Sequence, residues 1–164
     1  MVSQKNLKKF LPLGYLLALA FFLRLPSLFE PASYGDEGVY QVLGQAVKRG
    51  NLLYQNIWDN KPPFLYLLYA LFDGDLFSVR LVSLIFLLFT IVVFFLLAQK
   101  IFSPKSALIS TFIFTLLFSL PLLEGNIANA ENFMLLPIIS AFYLGFCFLK
   151  NKKMGGWWLV AGFL

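Results

Sequence analysis

Asp36 and Glu37 stand side by side in Tyr34-Gly35-Asp36-Glu37-Gly38-Val39-Tyr40, and Lys61 follows in Trp58-Asp59-Asn60-Lys61-Pro62-Pro63. Arg80 lies near the start of a long apolar run, and Glu131 opens another. The chain has no histidine, so acid–base work must fall to carboxylates, lysine or tyrosine. A carboxylate can take the proton of an attacking hydroxyl, and a nearby cation can stabilise a departing phosphate. Lysine suits the second task because it presents a compact charge with three donors. Each residue also has a plainer use. Asp36, Glu37 and Glu131 would each complement a helix N-terminus, an effect of about 0.3–1 kcal/mol. Lys61 and Arg80 would serve equally well as snorkelling cations at a membrane surface.

These residues are set in a chain of 164 residues that is 60% hydrophobic and 13% charged, with 20 Phe. Its mean hydropathy is +0.79. Soluble domains carry about 25% charged residues, so the composition is that of an integral membrane protein. The single cysteine, Cys147, excludes an intrachain disulfide and is read as packing. The net charge of +5 does not point to nucleic acid, because the lysines fall in three groups between apolar runs. Lysines 5, 8 and 9, then 100 and 105, then 150, 152 and 153 mark the cytoplasmic side by the positive-inside rule. All eight acids then lie on the other side, and the N-terminus is cytoplasmic.

The apolar runs predict spans over 10–28, 76–97, 106–123 and 133–149, with a fifth begun at 155–164. Ten apolar residues do not cross a bilayer, so the chain reads as the N-terminal part of a larger protein, inactive on its own. The first run, with its lysine flank, is read as an uncleaved anchor rather than a signal peptide, and Arg24 as snorkelling outward. Between the first two spans lies an external segment, 30–75. Within it the spacing predicts a surface helix over Asp36–Lys48 with Ser33 as its cap, ended by Gly50-Asn51. A second interfacial or re-entrant helix is expected over Pro62–Phe72, about 16 Å long and too short to span. Asp59-Asn60 reads as its cap. Asp73-Gly74-Asp75 reads as a turn rather than as a metal-binding Asp-x-Asp.

Helical angles separate the two adjacent acids. Val39, Val42, Leu43, Ala46 and Val47 form one apolar stripe on the first surface helix. Asp36 lies roughly 50° from its centre and Glu37 roughly 150° away, with Gln41 and Lys48. The expectation is that Asp36 faces inward and Glu37 faces solvent. A carboxylate held inward is costly unless it is used, which favours Asp36 as the base.

In order and spacing these motifs resemble the integral-membrane glycosyltransferases of the GT-C superfamily, in the branch of protein mannosyltransferases and bacterial aminoarabinose transferases. The resemblance rests on Arg24-Leu25-Pro26 closing the anchor and on Gly-Asp-Glu-Gly-x-Tyr at 35–40. It continues through Tyr-x-x-x-Trp-Asp-x-Lys-Pro-Pro at 54–63, Arg80-Leu81, and Glu131-Asn132-Phe133. It implies an all-α, multi-span bundle with its site in the first external loop. It also implies transfer of a sugar from a polyprenyl-phosphate donor, with inversion, to a lipid, glycan or protein acceptor. On that likeness Asp36 is the catalytic base, supported by Glu37, while Lys61 and Arg80 contact the donor phosphate and Glu131 is a second site acid. Some relatives use a divalent ion and others do not, and nothing in the sequence indicates one. The expected place of action is the outer face of the cytoplasmic membrane. The alternatives are a multi-span transporter or lipid flippase, or a non-catalytic assembly subunit. A transporter would place charges near the bilayer midplane, whereas here the acids are clustered in the loops.

Overall fold

The computed structural model describes residues 4–32 and 34–150, with side chains described from residue 10 to residue 148. The Ser33 cap, Lys152, Lys153 and the span begun at 155 lie outside those residues, and Lys5, Lys8, Lys9 and Lys150 outside the described side chains. Six α-helices follow in order: α1 (Gln4–Arg24), α2 (Gly35–Lys48), α3 (Pro63–Leu71), α4 (Leu76–Ile101), α5 (Pro104–Ser119) and α6 (Ala130–Lys150). Short 3-10 turns at Pro26–Phe29 and Pro121–Leu123 follow α1 and α5. Among the described residues there is no strand.

Three stretches, Phe10–Phe29, Leu76–Ile101 and Ala130–Phe148, are long and apolar enough to cross a membrane. Phe22, Phe89 and Phe142 stand 67%, 59% and 68% exposed on them. Surfaces of that kind suit hydrocarbon rather than water, so the chain is an all-α membrane protein. The expected third span is shorter than its apolar run. Pro121 biases the preceding residue away from helix, and Leu120 is extended at φ −104°, ψ 159°. Helix α5 therefore stops at Ser119, after 16 residues. The start of α6 is three residues earlier than expected, because Asn129 caps it by accepting from Asn132 N–H at 3.0 Å.

Helix α4 is the central element, packed against α1, α5 and α6. Leu13, Ala20, Leu87, Ile91, Phe95 and Phe114 fill the core between α1, α4 and α5. A second core closes one end of the bundle, where Tyr40, Leu65, Tyr66 and Tyr69 meet Val79, Ala128 and Phe133. That end gathers the loop segment 30–75, the start of α4 and the 124–131 loop, and with them all eight carboxylates of the sequence.

Helix α2 lies across α3. Its end is a Schellman closure: Gly50, at φ 91°, donates to Val47 and Asn51 donates to Ala46. Its buried face is rotated from the expected stripe, of which Leu43 and Val47 still pack against the core. Glu37, Tyr40 and Gly44 are buried, whereas Val39 and Val42 are 47% and 65% exposed. Gly44 is the point of closest approach, since a Cβ there would lie 2.5 Å from the Tyr69 Cβ and 2.9 Å from the Tyr69 carbonyl carbon. Gly44→Ala is expected to push α2 off α3 and destabilise the fold by about 1–3 kcal/mol. Thermal unfolding of the detergent-solubilised protein would measure this, and an unchanged midpoint would contradict it.

Candidate active site

Two polar assemblies share the closed end of the bundle, one buried and one open. The buried one is built on Glu37 and Arg80, which are 0% and 1% exposed. Arg80 Nε donates to both Glu37 carboxylate oxygens at 3.0 and 3.2 Å, and Nη2 donates to Oε2. Arg80 Nη1 donates to the carbonyls of Ser27 and Glu30, at 2.9 and 2.6 Å. The Ala128 N–H donates to Glu37 Oε1 at 2.8 Å. One ion pair thus ties α2, the turn after α1, the start of α4 and the loop before α6. Arg24 is buried beside it, with Nη2 donating to Ser83 Oγ at 3.2 Å, and does not snorkel outward as expected.

This geometry reverses the expected orientation of the two acids. Glu37 faces inward and is saturated with donors, while Asp36 is exposed. The apolar stripe misled because it ignored a counter-ion supplied from another helix. Once Arg80 is buried, α2 must turn Glu37 towards it, since an unpaired buried charge is the more expensive outcome. At least four of the five Arg80 N–H donors are engaged within the protein.

The open assembly brings together Asp36, Asp59, Lys61 and Glu131 around two tyrosines. Asp36 accepts from Tyr40 Oη at 3.4 Å. Asp59 accepts from Tyr66 Oη at 2.7 Å, and Lys61 Nζ donates to Glu131 Oε1 at 2.6 Å. The Tyr40 ring meets Tyr66 and Tyr69 edge-on, with centroids 6.1 and 5.9 Å apart. Burial, then the charge of Asp36, pushes the Tyr40 hydroxyl above the usual phenol range, so it stays a donor to that carboxylate. The hydrogen bond it donates to Glu131 raises Lys61, with the charges of Asp36 and Asp59 adding to it, so the ammonium keeps its proton through neutral pH. Asp59 was expected to cap α3. Instead Pro62 holds the N-cap position with no side-chain cap, and Asp59 is bound to Tyr66. This signal was absent from the sequence, because Tyr66 reads there as one more apolar helix residue.

The remaining acids have structural uses. Asp73-Gly74-Asp75 is a turn as expected: Asp75 caps α4 by accepting from Ser78 N–H at 2.9 Å, and Asp73 pairs with Lys48 at 3.0 Å. Among the described residues no group of three or more His, Cys, Asp or Glu is arranged to hold a metal ion. Glu124 takes a left-handed backbone at φ 52° between α5 and α6. Asn132 stitches the following loop by donating to the carbonyls of Glu124 and Ile127 at 3.1 and 2.7 Å. That loop, which presents Ala128 to Glu37, carried no recognisable sequence signal beyond its two asparagines, Asn126 and Asn129.

An apolar groove of about 830 Å³ runs from this layer down between α3, α4 and α6. Phe64, Phe86, Phe89, Phe133 and Pro137 line it. Pro62 and Ala130, the immediate neighbours of Lys61 and Glu131, also line it.

A membrane helix bundle with a carboxylate and lysine layer over one end is the architecture at hand. Residues 61–164 match the family model for dolichyl-phosphate-mannose-protein mannosyltransferase. The match takes in more than half of the chain, which therefore belongs to this family and is a membrane glycosyltransferase of mannosyltransferase type. It includes Lys61, Arg80 and Glu131 and leaves out Asp36 and Glu37. Neither the curated proteins nor the solved structures contain a match to the chain.

Proposed function

We propose that the protein transfers a sugar, with inversion, from a polyprenyl-phosphate donor to a lipid, glycan or protein acceptor at the non-cytoplasmic face of the membrane. The observation that carries this reading is Lys61, whose neighbour Pro62 lines an apolar groove and whose ammonium is in electrostatic reach of the exposed Asp36. A polyprenyl chain is apolar over its whole length and ends in a phosphate, so it matches a groove of this kind. In the reaction the acceptor oxygen bonds to the anomeric carbon as the bond from that carbon to the phosphate oxygen breaks. Asp36 takes the acceptor proton, and the bonding pair leaves on the lipid phosphate beside Lys61.

Asp36 is the better base because its carboxylate has one long hydrogen bond, from Tyr40, and no ion pair among the described residues. Glu37 supports it through the backbone by anchoring α2, and Arg80 works with Glu37 rather than with the donor. Glu131 is the second acid of the site. It holds Lys61 before a donor arrives, and a donor phosphate would compete with it for the same ammonium.

The donor class is tested with full-length enzyme in lipid and an acceptor extract, comparing mannose on polyprenyl phosphate with mannose on a nucleotide. Transfer is expected from the lipid-linked sugar alone, and Lys61→Ala is expected to raise its KM at least about tenfold, the scale of one charge-assisted contact. Transfer from the nucleotide sugar alone would overturn the reading.

A further inference from the structure

Lys61 is gripped at both ends of its own backbone by tyrosine hydroxyls. Its N–H donates to Tyr66 Oη at 3.2 Å, and its carbonyl accepts from Tyr54 Oη at 2.6 Å. Tyr66 is fixed in turn by Asp59 and is fully buried. Tyr54 is not there to fill a core, being 45% exposed.

The backbone around Tyr54 is built to deliver that hydroxyl. Tyr54 has φ 64°, a left-handed conformation uncommon outside glycine, and one that persists only where its surroundings enforce it. Here a compact knot enforces it. Tyr54 N–H donates to Ile57 at 2.7 Å, Asn56 N–H donates to Leu52 at 2.9 Å, and Leu52 N–H donates to Asn56 Oδ1 at 3.0 Å. Leu53 and Ile57 close it with an isolated parallel bridge. The knot leaves the Tyr54 ring free to reach seven residues ahead to Lys61.

We propose that Tyr54 is a positioning residue for donor binding, fixing the Lys61 backbone, and through it the ammonium, beside the apolar groove that Pro62 lines. This rests on the reading of Lys61 as the contact for the lipid phosphate. A lysine has four rotatable side-chain bonds, so its ammonium is placed only as well as its Cα is placed. Two hydroxyls, one on each of the peptide units that flank it, fix that Cα from both sides, and the 52–57 knot serves the site through a single oxygen atom.

The test is binding to the full-length chain in detergent, with farnesyl monophosphate and farnesol as paired probes that differ in the phosphate. Tyr54→Phe removes one oxygen and keeps the ring. It is expected to weaken farnesyl phosphate about five- to tenfold, the scale of one hydrogen bond to a group that orients a charge, and to leave farnesol unchanged. Combining it with Lys61→Ala is expected to add nothing to the loss from Lys61→Ala alone, because the hydroxyl acts through that lysine. Wild-type phosphate affinity in Tyr54→Phe would overturn the proposal. So would equal weakening of both probes, or losses that multiply in the double variant. If Lys61→Ala itself keeps the preference for farnesyl phosphate, the phosphate assignment fails and the proposal falls with it. An impaired Lys61→Ala beside an intact Tyr54→Phe sinks the proposal alone.

Discussion

Asp36→Asn in the full-length enzyme is expected to lower kcat for sugar transfer by about 10²–10⁴-fold, the contribution of a positioned general base. Its thermal stability should stay within about 0.5 kcal/mol of wild type. Both expectations come from the same geometry. The Asp36 side chain is exposed and, among the described residues, bound only by Tyr40 Oη at 3.4 Å, so an amide of the same shape leaves the packing of α2 intact. What it loses is the negative charge, and with it the basicity needed to take the acceptor's proton. Donor affinity should be nearly unchanged, since Lys61 and the groove are untouched, and the loss should fall on kcat rather than KM. Undiminished transfer by Asp36→Asn would remove Asp36 from the mechanism.

Arg80→Ala is expected to destabilise the protein by about 3–5 kcal/mol, the effect of removing one partner from a buried ion pair. Glu37 would be left buried with the single donor from Ala128, and α2, the turn after α1 and the start of α4 would lose their common anchor. Arg80→Lys should not rescue it, because one ammonium cannot donate at once to a bidentate carboxylate and to the carbonyls of Ser27 and Glu30. Removing both charges, as Glu37→Gln with Arg80→Met, should recover much of the stability, since the penalty lies in the orphaned charge. Thermal unfolding, with protease sensitivity of the 30–62 segment as a local readout, would measure each variant. If Arg80→Ala melts like wild type and only donor affinity falls, Arg80 is a phosphate contact and not an anchor.

The span boundaries at α4 and α6 and the bounds of α2 and α3 were legible in the sequence to within a few residues. Apolar run length, proline placement and the Gly50-Asn51 stop are local properties of the chain, and they act locally in the fold. The turn at Asp73–Asp75 was legible for the same reason. Asp59 was not. Its partner Tyr66 stands one helix turn inside α3, where hydropathy counts a tyrosine ring and overlooks its hydroxyl.

By itself the sequence determined a helical membrane protein, the places where its chain turns, and the acids and lysine that we propose form the glycosyltransferase site. It did not determine which of two adjacent acids is open. That was decided by Arg80, 43 residues away, whose guanidinium needs a buried counter-ion and finds it in Glu37. Helix α2 rotates to satisfy that pair and exposes Val39 and Val42 instead. A buried charge outweighs the burial of two valines, so tertiary electrostatics overrode the helical periodicity. Asp36 is left outside with its carboxylate uncommitted.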